Sequence, residues 1–391
     1  MRSAEAIAAA PGRPGEDIAI VGMAGIFPRA GNVREFWQNI MQRVDGIGDP
    51  PPQWRPETFV AEGSRENDRI YTGKGGYLGE NFRFDPSRYG VVPTAMDGAE
   101  PDQFLALRVA YEALADAGAP ARELPRERTG VILGRGVYIN RGSLTWAANG
   151  YFVEELVGLL RQLEPDRSES ELAKLKAELK RRLPPLNQDT VPGLISSIIA
   201  GRVANRFDLR GPAYMVDAAC ASSLLAVEQG MRALHEGRCD AVLAGGVQAS
   251  SPPLVQVLLA QVGALSPQGR IAPFSREASG MLVGEGCGML LLMRRSDAER
   301  QGHRIYCLLK GMGSSSDGKG SGILAPKSAG QLLAVKQAYA ESGITPQTVS
   351  LIEAHGTGTP VGDAAELDTV FETFGERSAA CPQVAMGTVK S

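Results

Sequence analysis

The sequence predicts an α/β protein built from two similar halves. Its clearest unit is a strand at 213–216, a turn of small residues, a helix at 222–235 and a strand at 241–243. Strands joined through a helix run parallel in one sheet. A comparable pattern begins again at 305–309 and ends in glycines, as the first predicted strand also does. Since no Pro/Ser-rich linker separates the halves, we expect one two-part fold.

The composition excludes several classes of protein. The 391 residues include 41 Lys+Arg and 44 Asp+Glu, a net charge of −3, which argues against binding to nucleic acid or anionic membranes through bulk positive charge. Gln and Pro interrupt the longest uncharged stretch, 241–269, so we expect no membrane span. Five cysteines without close spacing predict no disulfide framework, which favours a cytoplasmic protein.

Each element follows from its apolar period. Residues 1–16 are rich in Ala, Pro and Gly and predict a disordered lead-in, and 18–21 predict a buried strand that enters a turn at Gly22 and Gly25. Residues 45–90 predict a long ordered loop region. The other predicted elements are helices at 32–41, 102–117, 194–207, 329–342 and 364–374, and strands at 130–133 and 349–353.

The most charged segment, 166–182, predicts a helix inserted at the surface. Ser168 and Glu171 have the spacing of a capping box, which marks the start of the helix. One narrow apolar stripe follows it, formed by Leu172, Leu175 and Leu179. We interpret the charges as a solvated face and not as a binding site.

Cys220 is the first candidate for chemistry, in the segment Asp217-Ala-Ala-Cys-Ala-Ser-Ser223. Small residues between a strand and a helix permit a tight turn that lifts the side chain out of the sheet, as in a nucleophile elbow. The start of the helix would favour the thiolate, and its backbone N–H groups would bind an oxyanion. A small buried core cysteine is the alternative, and placement alone leaves both interpretations open.

His355 is the second candidate. It follows a predicted strand within Glu353-Ala-His-Gly-Thr-Gly-Thr-Pro-Val-Gly-Asp363, the position where α/β folds place functional groups. The alternative is a histidine that only hydrogen-bonds its own loop. Of the other histidines, His235 ends a helix, and His303 follows a charged stretch that predicts an exposed loop.

Two further patterns predict no site. Residues 313–320 resemble a phosphate-binding loop, but Gly320 stands where Ser or Thr should follow Lys319, so we interpret the segment as a turn. The pairs His235/Cys239 and His303/Cys307 have no further ligands in register. We therefore expect no metal site.

The motifs around Cys220 and His355 resemble those of the β-ketoacyl synthase family. Three further segments resemble that family in the same order along the chain: Ile18-Ala-Ile-Val-Gly-Met23, Val283-Gly-Glu-Gly286 and Gly387-Thr-Val-Lys-Ser391. The resemblance covers roughly residues 17–391 and points to ketosynthase domains of type I polyketide synthases. The Ala-rich cysteine motif and the insertion are most similar to the polyunsaturated-fatty-acid, heterocyst-glycolipid and enediyne iterative synthases.

The resemblance implies a thiolase-like αβαβα fold and a homodimer. Its N-terminal half would span 17–300 with the insertion, and 301–391 would begin a C-terminal half that is incomplete. It implies decarboxylative Claisen condensation, in which Cys220 takes an acyl chain from an acyl carrier protein. His355 would bind the malonyl thioester oxygen, and Lys390 would support the site electrostatically. Glu285 matches a family position of structural character.

The same resemblance implies partners. The substrates would arrive on the phosphopantetheine arm of the carrier protein, with no cofactor bound directly by the synthase and with other synthase domains nearby. The family's second catalytic histidine lies beyond Ser391, so we expect a piece of a longer synthase that condenses slowly alone. Two alternatives stay open: a non-catalytic partner like the chain-length factors, and an acyltransferase that uses Cys220 and His355 without decarboxylation.

Overall fold

The structure is a computed structural model that describes residues 15–64, 66–79, 82–96, 99–119, 124–136, 140–188, 190–249, 251–320, 322–375 and 383–390. The predicted lead-in, 1–16, lies outside the described residues except for its last two positions.

Helices and short strands alternate along these ranges. The strands are β1 Ile18–Ile26, β2 Gly75–Gly76, β3 Thr129–Gly134, β4 Ala213–Val216, β5 Ala241–Gln248, β6 Val283–Gly284, β7 Gly286–Arg294, β8 Cys307–Leu309, β9 Leu351–Glu353 and β10 Ala385–Gly387. The helices are α1 Val33–Gln42, α2 Pro56–Phe59, α3 Pro101–Asp116, α4 Arg141–Ala147, α5 Val153–Leu163, α6 Glu169–Arg181, α7 Val191–Leu194, α8 Ile198–Phe207, α9 Ser222–His235, α10 Pro253–Gln261, α11 Arg295–Arg300, α12 Ser328–Ser342 and α13 Pro360–Phe374. None of the described helices combines the length and the apolar character that a membrane crossing requires.

One six-stranded sheet organises most of the chain, in the order β4-β3-β5-β7-β1-β8. β4 and β5 both run parallel to β3, which confirms the parallel sheet predicted for the strand–helix–strand unit. β7 is antiparallel to both β5 and β1, and β8 is antiparallel to β1. The complete sheet is therefore mixed.

Helices cover both faces of this sheet. Successive side chains of a strand point to opposite faces, and the buried strands carry apolar side chains on both. In β1, Ile18 and Ile20 belong to the core beneath α9, whereas Ala19 and Val21 belong to the larger core that α3 and α8 share. The result is a three-layer α/β/α arrangement, with the predicted fold class confirmed.

The predicted turn at Gly22 and Gly25 is wrong, because β1 continues through both residues to Ile26. A Cβ at Gly22 would lie 2.5 Å from the Ala113 carbonyl oxygen, so this glycine lets α3 pack directly on the strand. β5 likewise continues through Gly245, where a Cβ would lie 2.0 Å from the Gly288 carbonyl oxygen of β7. These glycines serve close packing and not chain reversal.

Other predicted elements differ in their limits. The predicted helix 194–207 begins four residues later than expected: α8 is Ile198–Phe207, and Leu194 is the last residue of the separate short helix α7. α1 forms as expected but buries none of its residues, and Trp37 is 59% exposed. In α6 the Ser168–Glu171 capping box is confirmed, and Leu172 alone of its stripe is fully buried. α6 packs against the preceding helix α5.

The segment after β8 forms a smaller unit. β9 and β10 pair in parallel as a two-stranded sheet, while α12 and α13 pack against one another. Residues 313–320 contain no helix or strand, and the Ser315 hydroxyl donates to the Gly330 carbonyl oxygen of α12 at 2.6 Å.

A buried ionic cluster joins four parts of the fold. Glu100 and Asp102, at the start of α3, both face the Arg135 guanidinium that follows β3, and all three are at most 4% exposed. Glu100 also accepts a hydrogen bond from the Gly142 N–H of α4 at 3.1 Å, and Asp102 accepts one from the Ala249 N–H after β5. Burial and the Asp102 charge raise the pKa of Glu100 to about 7.

We predict that Glu100→Gln stabilises the protein increasingly as pH rises. Between pH 4.5, the ordinary pKa of a glutamate, and pH 7, the folded protein keeps a proton that the unfolded chain has released. The free energy of unfolding therefore falls as pH rises through this window, and the amide removes that fall. Urea unfolding midpoints of the parent and the variant at pH 5.5 and pH 8 measure this pH-dependent difference in stability.

The control is Glu112→Gln, a partly exposed carboxylate on the same helix. A parent and a Glu100→Gln variant whose midpoints change in parallel with pH would contradict the assignment.

Candidate active site

Cys220 lies where β4 leads into α9. It occupies a 3-10 turn, Ala219–Ala221, that immediately precedes the helix, at the carboxyl ends of the three parallel strands. Its side chain is exposed. The alternative of a small buried core cysteine is therefore wrong, and the geometry is that of the predicted elbow.

The turn contains an unusual backbone conformation. Ala219, directly before the cysteine, has a φ of +50°, in the left-handed region. This conformation costs an L-residue about 1–2 kcal/mol. The sequence signalled small residues here but not which of them would be left-handed.

Two glycines bring the sheet against the start of α9. A Cβ at Gly134, the last residue of β3, would lie 2.4 Å from the Ser222 carbonyl carbon and oxygen. A Cβ at Gly246 of β5 would lie 2.7 Å from the Ser223 Cβ. The first turn of the helix therefore rests directly on the ends of two strands, and this contact sets the height of Cys220 above the sheet.

His355 follows β9 in the predicted loop, and a carboxylate from α13 holds its backbone. The two Glu366 carboxylate oxygens accept hydrogen bonds from the His355 N–H at 2.6 Å and from the Gly356 N–H at 2.8 Å. Sequence reasoning missed Glu366. Its signal was an acidic residue one helical turn beyond Asp363, inside the helix that follows the glycine-rich loop.

Asp363 fixes the next part of the same loop. Its buried carboxylate accepts from the Gly358 N–H at 3.1 Å and from the Phe274 N–H at 2.7 Å. Gly358 has a φ of +70°, and a Cβ there would lie 2.9 Å from the Gly280 carbonyl oxygen. The histidine loop is thereby attached to the segment that follows α10.

Lys390 lies against His355. Pairing of β10 with β9 brings the end of the described chain back to the histidine loop, where the Lys390 Nζ donates to the His355 carbonyl oxygen at 2.5 Å. The Glu353 carboxylate accepts from the Val389 N–H at 2.7 Å and holds this return. The structure thus joins Lys390 to His355, whereas no hydrogen bond among the described residues links either to Cys220.

The surroundings of His355 favour its neutral form. Although the side chain keeps an exposed surface, withdrawal of the ring from water lowers its pKa below 6.5, and the Lys390 charge lowers it further. The negative charges of Glu366 and Asp363 act in the opposite direction without reversing the change. At neutral pH the ring therefore carries one N–H donor and no charge.

The other two histidines have structural surroundings. The His235 ring contacts the Glu16 carbonyl oxygen at 2.7 Å, at the end of α9. His303 is buried, so the predicted exposed loop is wrong there. Its backbone N–H donates to the Ala298 carbonyl oxygen at the end of α11. Within the described ranges, no group of three or more His, Cys, Asp or Glu residues is arranged to hold a metal ion.

We predict that Lys390→Met raises the pKa of His355, because it removes a nearby positive charge that disfavours the imidazolium. Titration of the histidine ring protons by NMR measures the change, and with three histidines in the chain the signals can be assigned by substitution. Lys336→Met, which removes a lysine facing Glu372 on α13, is the control. An unchanged His355 titration in Lys390→Met would show that the two charges do not interact.

Two family models together match almost the whole chain. The β-ketoacyl synthase N-terminal domain matches residues 15–298, and the β-ketoacyl synthase C-terminal domain matches residues 306–391. Among curated proteins, the chain is 34% identical over 379 residues to a subunit of the polyunsaturated fatty acid synthase of Thraustochytrium sp.. It is 33% identical over 386 residues to the spectinabilin polyketide synthase system protein NorC of Streptomyces orinoci.

These relatives are much longer proteins. The two matches cover 96% and 98% of this chain but only 13% and 16% of the relatives. Among solved structures, the oxazolomycin ketosynthase domain OzmH KS7 of Streptomyces albus superimposes with a TM-score of 0.79 at 29% identity, over 96% of this chain and 59% of that one.

A second solved structure, the PfaC keto synthase–chain length factor, gives a TM-score of 0.80 at 31% identity, over 96% of this chain and 39% of that one. The motif resemblance, the matched domains and the shared fold agree over the same residues. The chain belongs to the β-ketoacyl synthase family.

Proposed function

We propose that this chain is a ketosynthase domain that extends an acyl chain by decarboxylative Claisen condensation. One observation supports this most strongly: in a member of the β-ketoacyl synthase family, an exposed cysteine stands in a strand–helix elbow at the carboxyl ends of parallel strands. Cys220 is the proposed nucleophile, with His355 and Lys390 as its proposed partners.

In the first step, the Cys220 thiolate attacks the carbonyl carbon of an acyl thioester carried by phosphopantetheine. A new C–S bond forms, the carrier thiolate leaves, and a proton restores the carrier thiol. The start of α9 supplies backbone N–H groups and a positive dipole end beside the developing charge.

In the second step, a malonyl thioester loses CO2, and the electron pair of the broken C–C bond forms an enolate. The enolate carbon attacks the acyl carbon on Cys220, which forms the new C–C bond and releases the thiolate. A neutral His355 would donate its ring N–H to the thioester oxygen on which the enolate charge collects. The lowered pKa of His355 suits this role, because the ring stays uncharged in neutral solution.

Lys390 contributes charge without an assigned proton transfer. Its ammonium group contacts the His355 carbonyl oxygen, where its charge adds to the effect of burial in favouring the neutral imidazole and supplies positive potential for an enolate. Acyl transfer without decarboxylation and a chain-length-factor-like partner role are the remaining alternatives. Release of CO2 from the malonyl thioester distinguishes condensation from both of them.

We predict that Cys220→Ala abolishes the acyl adduct that the parent chain forms with an octanoyl N-acetylcysteamine thioester, because the nucleophilic sulfur is lost. Intact mass spectrometry measures the adduct, and trapped CO2 from malonyl carrier protein measures decarboxylation. Cys307→Ala is the matched control, since it removes another exposed thiol on β8. An adduct that survives Cys220→Ala, or a folded parent that forms none, would refute the assignment.

The same proposal includes a homodimer, and the outer edge of β4 supports it. The Pro212 and Val216 carbonyl oxygens face β3, where they accept from Val131 and Arg135, so the intervening Ala213 and Met215 peptide groups point away from the sheet. An open strand edge of this kind pairs readily with the same edge of a second copy.

We predict that Ala213→Pro weakens the dimer, because proline removes an outward N–H while an edge strand tolerates the ring. Sedimentation velocity should show a change from dimer toward monomer. Ala213→Val keeps the N–H and should keep the dimer. A proline variant that sediments as the parent does would exclude this edge as the interface.

We further propose that this domain acts with an acyl carrier protein and with neighbouring synthase domains, and that it is located in the cytoplasm. The relatives named above belong to a polyunsaturated fatty acid synthase and to a polyketide synthase system, and each is several times longer than this chain. The four cysteines in the described ranges are free thiols, which suits a reducing compartment.

A further inference from the structure

Ala219 has no means of its own to hold the left-handed conformation before Cys220. Among non-glycine residues, Asn and Asp are enriched in this conformation, because their side chains bond to the nearby backbone. An alanine side chain makes no hydrogen bond. The conformation at 219 must therefore be maintained by its neighbours.

Two neighbouring side chains hold the two peptide groups of Ala219. The Asp217 carboxylate accepts a hydrogen bond from the Ala219 N–H at 3.0 Å. The Ser222 hydroxyl donates to the Ala219 carbonyl oxygen at 2.7 Å and accepts from the Ala218 N–H at 2.9 Å. We call this set of three hydrogen bonds the Ala219 clasp.

Ser222 is the fixed side of the clasp. It is 4% exposed, and the end of β3 at Gly134 presses against its backbone. Asp217, in contrast, is exposed. Because the backbone of Ser222 packs against β3, its hydroxyl holds the peptide group before Cys220 at a fixed position relative to that strand.

We propose that Ser222 is a positioning residue for Cys220. Its hydroxyl holds Ala219 in the left-handed conformation, which sets the direction in which the cysteine side chain leaves the turn. This inference rests on the proposed role of Cys220 as nucleophile. Ser222 contacts backbone groups of the turn and has no assigned contact with substrate, so it acts on the rate of acylation and not on binding of the acyl group.

The test measures two reactions of Cys220 in the folded chain: acylation by octanoyl N-acetylcysteamine thioester and alkylation by iodoacetamide. Mass spectrometry of the proteolytic peptide that contains Cys220 quantifies both products. Ser222→Ala should slow acylation at saturating thioester about tenfold, without raising the half-saturating concentration. A tenfold change corresponds to about 1.4 kcal/mol, the scale of one or two lost hydrogen bonds. Alkylation needs only an exposed thiol and should change less than twofold.

Rescue by glycine distinguishes positioning from general damage. Glycine adopts the left-handed conformation at no steric cost, so Ser222→Ala combined with Ala219→Gly should recover most of the acylation rate. Asp217→Ala removes the other side of the clasp at an exposed position and should show the same slowing and the same rescue. Ser223→Ala, at the adjacent exposed serine, is the matched control and should acylate like the parent.

Each outcome decides the proposal. Equal acylation rates in Ser222→Ala and the parent, or slow acylation that Ala219→Gly does not restore, would overturn the positioning role. If Ser222→Ala does not fold, the Asp217→Ala pair gives the same decision. A parent that is alkylated but never acylated would instead refute the proposed function, and the positioning role would fall with it.

Discussion

Direct contact between the start of α9 and the ends of β3 and β5 is the constraint on which the site depends. Side chains at Gly134 and Gly246 would place carbon atoms within 2.4 and 2.7 Å of the Ser222 and Ser223 atoms they face. That contact fixes the distance of the helix from the sheet, and the turn that enters the helix contains the left-handed Ala219. The position of Cys220 above the sheet thus depends on the close packing of α9 against β3 and β5.

The histidine loop is organised differently, through buried or partly buried carboxylates that accept from backbone N–H groups. Glu366 and Asp363 both come from α13 and hold His355, Gly356 and Gly358 in sequence. Hydrogen bonds from backbone N–H groups to a carboxylate are stronger than those between neutral groups. One helix therefore sets the shape of the loop, and the segment after β10 brings Lys390 to the His355 carbonyl oxygen.

Local sequence patterns made some of the helices and their limits predictable. The limits of α9 agree with the helical spacing of Leu224, Val227 and Met231, and the capping box of α6 lies where Ser168 and Glu171 indicated. Both signals act within one or two helical turns. The predicted turn at Gly22 was wrong because a glycine marks a close approach as readily as a chain reversal, and the partner, Ala113 on α3, is remote in sequence.

The sequence by itself determined the α/β class, the elbow around Cys220, the loop around His355 and, through its motifs, the β-ketoacyl synthase family. These features depend on local spacing and on residue type. Only the tertiary structure decided that Ala219 is left-handed, that Glu366 holds the histidine loop and that Lys390 reaches His355. The physical reason is that the turn at Ala219 rests on a residue packed against β3, and Glu366 and Lys390 reach His355 from separate elements. Neither kind of contact leaves a periodic trace in the chain.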